Sequence, residues 1–107
     1  MERSEIRILV VEDDRAVRQI VIESLAQAGF APDAAGCVHE ACPKAVQQRY
    51  HLMFVNLVLP DGSGFDLLDR VCAGGVCSSI IIIAEQPSMS SAAQGVQRGV
   101  RDYLVKP

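Results

Sequence analysis

The chain has 107 residues, half of them apolar, and a formal net charge of −3 at pH 7. That is enough apolar material for one ordinary core and too little length for a second domain. Acidic and basic residues are interspersed, with only three Phe, two Tyr and no Trp, so no basic stacking groove for nucleic acid is expected. No apolar run approaches a membrane span and the start Met1-Glu2-Arg3-Ser4-Glu5 carries no secretory stretch, so the expected location is the cytoplasm, without membrane contact.

Ile6 to Val11 is a β-branched run that empties into Glu12-Asp13-Asp14, as a buried strand does when it meets a polar loop. Val17, Ile20, Val21, Leu25 and Ala28 then recur at helical spacing, with Asp14 as N-cap and Gly29 as the stop. Phe30 to Ala35 reads as a weak second strand. A short helix is predicted between His39 and Arg49, beginning late so that Pro43 falls in its first turn. Leu52 to Leu57 is the third strand, and Pro60-Asp61-Gly62-Ser63-Gly64 a loop with strong turn chemistry in which Asp61 is an Asx-type cap. Phe65, Leu68 and Val71 mark one face of a third helix. Ile80 to Ile83 is the fourth strand, Ser88 to Arg98 a helix weakened by Ser90, Ser91 and Gly95, and Asp102 to Val105 the fifth strand.

Strand and helix alternate without repeat or linker, which predicts an α/β domain: a doubly wound, five-stranded parallel sheet of order 2-1-3-4-5. Its functional residues should gather beyond the carboxyl ends of the strands, where Glu12, Asp13, Asn56, Ala84 and Lys106 fall. Two acids after the first strand and a polar residue after the third suit a hard cation such as Mg²⁺. The four cysteines, Cys37, Cys42, Cys72 and Cys77, have a spacing that matches no tight zinc or redox motif, and are expected to be unbonded thiols. His51 is expected to be an exposed strand-edge residue, and Lys106 to pair with Asp13 or Glu12 when nothing is bound.

Three stretches, Val10-Val11-Glu12-Asp13-Asp14, Leu59-Pro60-Asp61-Gly62-Ser63-Gly64 and Gly99-Val100-Arg101-Asp102-Tyr103-Leu104-Val105-Lys106-Pro107, occur in an order and spacing that resembles the receiver domain of two-component response regulators over residues 1–107. The resemblance implies a flavodoxin-like receiver fold and a signalling module rather than an enzyme. It makes Glu12 and Asp13 the acid pair, with Asp13 a direct metal ligand and the Val58 carbonyl another. Lys106 becomes the partner of a phosphoryl group, Tyr103 the aromatic switch residue, and the Lys106-Pro107 bond cis.

Three positions depart from the pattern. Asn56 stands where the phosphoacceptor aspartate belongs, and an amide does not accept a phosphoryl group as a carboxylate does. Ala84 stands where a hydroxyl residue would hydrogen-bond the phosphoryl oxygen, and has no donor. Glu85 adds negative charge where an anion would sit. Losing one carboxylate removes about 4 kcal/mol of attraction for each cationic charge at ~4 Å and an effective dielectric of ~20, so Mg²⁺ is expected to bind weakly or not at all. Asn56 is expected to lock the pocket without metal, donating to Asp13 or accepting from Lys106. The leading expectation is therefore a degenerate receiver that acts by protein interaction, independently of phosphorylation. One alternative is a phosphate-accepting receiver carrying an engineered Asp-to-Asn change at Asn56, against which three departures in one pocket argue. The other is a small-ligand sensor using the acidic pocket.

The family's fifth helix, which follows Lys-Pro, is missing, so a domain truncated at its C-terminal end is expected, with an apolar strip over strands three and five left open. The implied partners are a histidine kinase or another signalling protein, an effector domain downstream in a longer protein, and a second copy at the open face.

Overall fold

The computed structural model describes residues 2–72 and 78–106. Five strands form the main sheet: β1 (Ile8–Val11), β2 (Asp33–Ala35), β3 (Leu52–Asn56), β6 (Ser79–Ala84) and β7 (Asp102–Val105). Their order is β2-β1-β3-β6-β7 and every pairing is parallel. Two further short strands, β4 (Val58–Leu59) and β5 (Gly62–Ser63), form a separate hairpin. Without that hairpin the order is the expected 2-1-3-4-5. The α/β doubly wound fold is thus present, with helices α1 (Arg15–Gln27), α2 (Val38–Gln47), α3 (Gly64–Val71) and α4 (Met89–Gln97) between the strands.

Central strands read as unbroken apolar runs because both faces of a parallel sheet are covered, and all four residues of β1 are buried. Leu9, Val11, Met53, Val55, Ile80 and Ile82 join Val38, Ala41, Phe65, Leu67 and Leu68 of α2 and α3 in one core. With side chains alternating along each strand, Val10, Phe54, Ile81 and Leu104 point to the opposite face, that of α1. Coverage there is thinner. No residue of α1 is buried, Phe54 and Ile81 are half-buried, and Leu104 is 43% exposed.

Asp14 caps α1, accepting from the Ala16 and Val17 amides at 2.9 and 3.2 Å, and Gly29, at φ +96°, ends it in a left-handed turn. α2 departs from expectation. It starts at Val38 and takes Pro43 into its interior rather than its first turn. The start is set from a distance: Asp61, at the hairpin tip, accepts from Val38 N and His39 N, both at 2.8 Å. This tertiary cap satisfies two free amides of the helix end, a contribution local propensity does not include. Pro43 has no N–H for the carbonyl of His39, an exposed residue whose carbonyl water can satisfy.

The remaining differences are small. β2 begins at Asp33, not Phe30, and the Pro60 to Gly64 loop contains the second strand of the hairpin. Cys37 and Cys42 are free thiols, but Cys72 is disulfide-bonded, which corrects the expectation of four unbonded thiols. That expectation rested on the redox compartment, which says nothing about proximity in the fold. Cys77 and the Lys106-Pro107 bond lie outside the described residues.

The Asp61 cap has a pH signature. The His39 and Val38 amides hold its carboxyl below the ordinary range. Its contribution to stability is therefore complete above the unfolded value of about 3.9 and is lost as pH falls through the lower folded value. Acid unfolding of the wild type and Asp61→Ala, followed by circular dichroism, should show a stability gap at neutral pH that closes in acid; an equal gap at every pH would contradict the cap.

Candidate functional site

The carboxyl ends of β1, β3, β6 and β7 are held in register by backbone bonds that continue the sheet: Leu57 N to Ile83 O and Lys106 N to Ala84 O, both at 2.8 Å. Glu12 N donates to Ala35 O at 3.0 Å, and Arg18 Nη1 donates to the Glu12 carbonyl at 2.9 Å. Glu12, Asn56 and Lys106 are thereby set side by side. The hairpin brings Val58 back over them, through the bond from Gly64 N to Leu57 O at 2.8 Å. Gly64 is required at this crossing, since a Cβ there would lie 2.5 Å from the Asn56 carbonyl oxygen.

Asn56 is 4% exposed and Glu12 is fully buried. Asn56 Nδ2 donates to Glu12 Oε2 at 2.8 Å, to Asp13 Oδ1 at 2.8 Å and to the Val58 carbonyl at 2.7 Å. All three neighbours are acceptors, which fixes the amide with its nitrogen toward them. Two protons serve three oxygens, so at least one proton is shared. Lys106 Nζ lies 2.7 Å from the other Glu12 oxygen, Oε1, in an ion pair almost sealed from water. Its alignment is poor for a directed hydrogen bond, so Oε1 is satisfied by charge.

Burial pushes the Glu12 carboxyl up, and Lys106 and the Asp14 amide, which donates to Oε2 at 3.2 Å, oppose that rise. At Asp13 burial also acts upward, but its neighbours, the donating Asn56 amide and the Lys106 charge among them, outweigh it and hold the carboxyl below its ordinary range. The two neighbouring acids are driven in opposite directions, as expected when one is buried and the other faces water.

Beside this cluster lies an open cavity of about 410 Å³ lined by Asp13, Asp14 and Glu85 as well as Asn56, Ala84 and Lys106. Among the described residues its only cationic lining residue is the lysine already paired with Glu12, so an entering anion faces three carboxylates. The sequence-predicted residues Glu12, Asp13, Asn56, Val58, Ala84 and Lys106 are thus brought together. Tyr103 is not among them: its hydroxyl lies 2.6 Å from Ser91 Oγ on α4. His51 is exposed, and its Nδ1 accepts from Arg7 N at 2.9 Å, a structural task. Among the described residues no group of three or more His, Cys, Asp and Glu is placed to hold a metal ion.

Sequence reasoning missed Arg18 and Gly64. Arg18 gives no signal, because its partner is a backbone carbonyl. Gly64 was legible only as turn chemistry, whereas its requirement comes from the close approach of Asn56.

The family model described as response regulator receiver domain matches residues 8–107. The chain is 31% identical over 101 residues to the transcriptional regulatory protein PmrA of Pectobacterium parmentieri, covering 94% of this chain and 46% of that one. It is 30% identical over 100 residues to the DNA-binding transcriptional regulator NtrC of Azospirillum brasilense, covering 94% and 21%. The chain therefore spans less than half the length of these relatives. Among solved structures, the CheY-like receiver domain protein of Methanospirillum hungatei superposes with a TM-score of 0.87 at 25% identity, covering 94% of this chain and 81% of that one. Response regulator TrrA of Thermotoga maritima, in complex with Mg²⁺ and BeF, gives 0.82 at 26% identity, covering 94% and 86%. With its sheet order, its loop cluster and a family match over nearly all of its length, the chain belongs to the response regulator receiver domain family of two-component signalling.

Proposed function

We propose that this receiver works without aspartyl phosphorylation, as a protein-interaction module whose state does not depend on a phosphoryl group at residue 56. The observation that carries the reading is the Asn56 amide nitrogen, within 2.7–2.8 Å of Glu12, Asp13 and the Val58 carbonyl. In this reading Asn56 holds the phosphoacceptor position. Its nitrogen lone pair is delocalised into the amide and its protons are committed, so it offers no nucleophile comparable to a carboxylate.

The same geometry opposes a cation. Oxygens of Glu12, Asp13 and Val58 are the lone-pair donors a Mg²⁺ ion would need, and each already faces an N–H. The residues do not fit the metal, and no step is routed through it. Ala84 offers no hydroxyl, and Glu85 with Asp13 and Asp14 repels an anion at the cavity mouth. Since the relatives are more than twice as long, we place an effector domain elsewhere in the full protein, and a histidine kinase or another signalling protein as the partner. The thinly covered face at Phe54, Ile81 and Leu104 supports contact with a further segment or a second copy.

Intact-mass measurement after incubation with Mg²⁺ and acetyl phosphate should find the unmodified chain. A base-labile adduct of one phosphoryl group would overturn the reading.

Asn56→Asp replaces the donor with a third carboxylate. In EDTA the variant should lose about 2 kcal/mol or more of stability, because buried Glu12 loses its amide donor and both Glu12 and Asp13 gain a neighbouring like charge. Thermal unfolding should show millimolar Mg²⁺ restoring that loss while leaving the wild type unmoved; equal stabilisation of both proteins by Mg²⁺ would contradict the misfit.

A further inference from the structure

α4 is made from residues that do little to form a helix. Ser90, Ser91 and Gly95 are poor formers, and Gly95 adds backbone entropy to be lost. The helix is instead fastened to its surroundings at both ends. At its C-cap, the Arg98 guanidinium makes a two-pronged pair with Asp69 on α3, at 2.9 Å for each prong, and lies over the Phe65 ring at 4.6 Å from the centroid. In its first turn, Ser88 caps the helix by accepting from Ser91 N at 3.0 Å.

The Ser91 hydroxyl is at the centre of a second set of bonds. Ser91 is 8% exposed, and its Oγ donates to the Ser88 carbonyl at 3.1 Å. A serine hydroxyl has one proton. Ser88 N at 3.3 Å and Ser88 Oγ at 3.0 Å also point at the Ser91 oxygen, and the Tyr103 hydroxyl lies 2.6 Å from it, close enough to hydrogen-bond in either sense. The Tyr103 hydroxyl is thus engaged on α4. At the end of β6, where the sheet meets the Asn56 site, Ala84 presents no hydroxyl to compete for it.

We propose that the Tyr103–Ser91 hydrogen bond is a fixed latch that holds α4 on β7 whatever happens at Asn56. The latch keeps one arrangement of the surface on which Met89 is 89% and Val96 76% exposed. This deepens the phosphorylation-independent reading and rests on it for the role of the latch, not for its existence. It also assigns Tyr103 to positioning α4, rather than to sensing the pocket.

Amide hydrogen exchange on the whole chain tests it, in the wild type, Tyr103→Phe, Ser91→Ala and the double variant. Tyr103→Phe deletes one oxygen from a half-buried ring and leaves the packing in place. It should speed exchange of the α4 amides about five-fold while the β1 and β3 amides keep their protection. In the Ser91→Ala background the same change should have no further effect, because the partner has already been removed. Unchanged α4 exchange in Tyr103→Phe would overturn the latch, as would an equal effect in both backgrounds; the first comparison decides alone if Ser91→Ala does not fold. Wild-type α4 exchange should also be the same with and without Mg²⁺ and acetyl phosphate. A change without a phosphoryl adduct counts against the latch, whereas an adduct counts against the reading of Asn56 and leaves the Tyr103→Phe comparison standing.

Discussion

A primary amide has two protons to give, and Asn56 Nδ2 is surrounded by three oxygens that accept them, two from neighbouring acids and one from a backbone carbonyl. Glu12 and Asp13 are placed at the end of β1 by the sheet itself, and burying the Glu12 carboxylate beside a second one is costly without compensation. Two neutral N–H bonds and one lysine supply that compensation. Lys106 neutralises one oxygen of Glu12 and Asn56 donates to the other. In a receiver with a third carboxylate at residue 56, the same pair would be a ligand set in search of a cation. Here the cluster is closed.

That closure divides the molecule into parts that depend on one another and parts that do not. The hairpin must fold back for its Val58 carbonyl to reach Asn56, which requires Gly64 at the crossing, and the same hairpin carries Asp61 to the start of α2. The acid cluster, the hairpin and α2 are therefore one mechanical unit. α4 is tied to different partners, Tyr103 in its first turn and Asp69 with Phe65 at its C-cap. No bond described above runs from α4 to Asn56.

Much of this was legible in the sequence. Apolar, largely β-branched runs marked β1, β3 and β6, β2 was legible only as a weak strand, the alternation of strands with helices pointed to the parallel order, and the acids after β1 with Lys106 after β7 marked the location of the cluster. The expected donation from Asn56 to Asp13 is present, and the amide also donates to Glu12 and Val58, while Lys106 pairs with Glu12. What sequence could not give was contact at a distance. Pro43 argued for a late α2, and the cap that overrules it comes from Asp61, across the hairpin. The resemblance made Tyr103 a switch residue without naming a partner for its hydroxyl, and that partner is Ser91, a residue that in sequence is only a poor helix former. The disulfide at Cys72 belongs to the same class, because spacing alone carries no distance.

The central claim is that an N–H donor, not a metal ion, holds the acid pair together. The side-chain amide protons of Asn56, observed by ¹⁵N-resolved NMR during titration with millimolar Mg²⁺, report on it directly. Slow exchange with solvent and shifts that stay constant throughout the titration are the predicted result. Amide protons that exchange freely, or that move in step with a saturating Mg²⁺ site, would contradict the account.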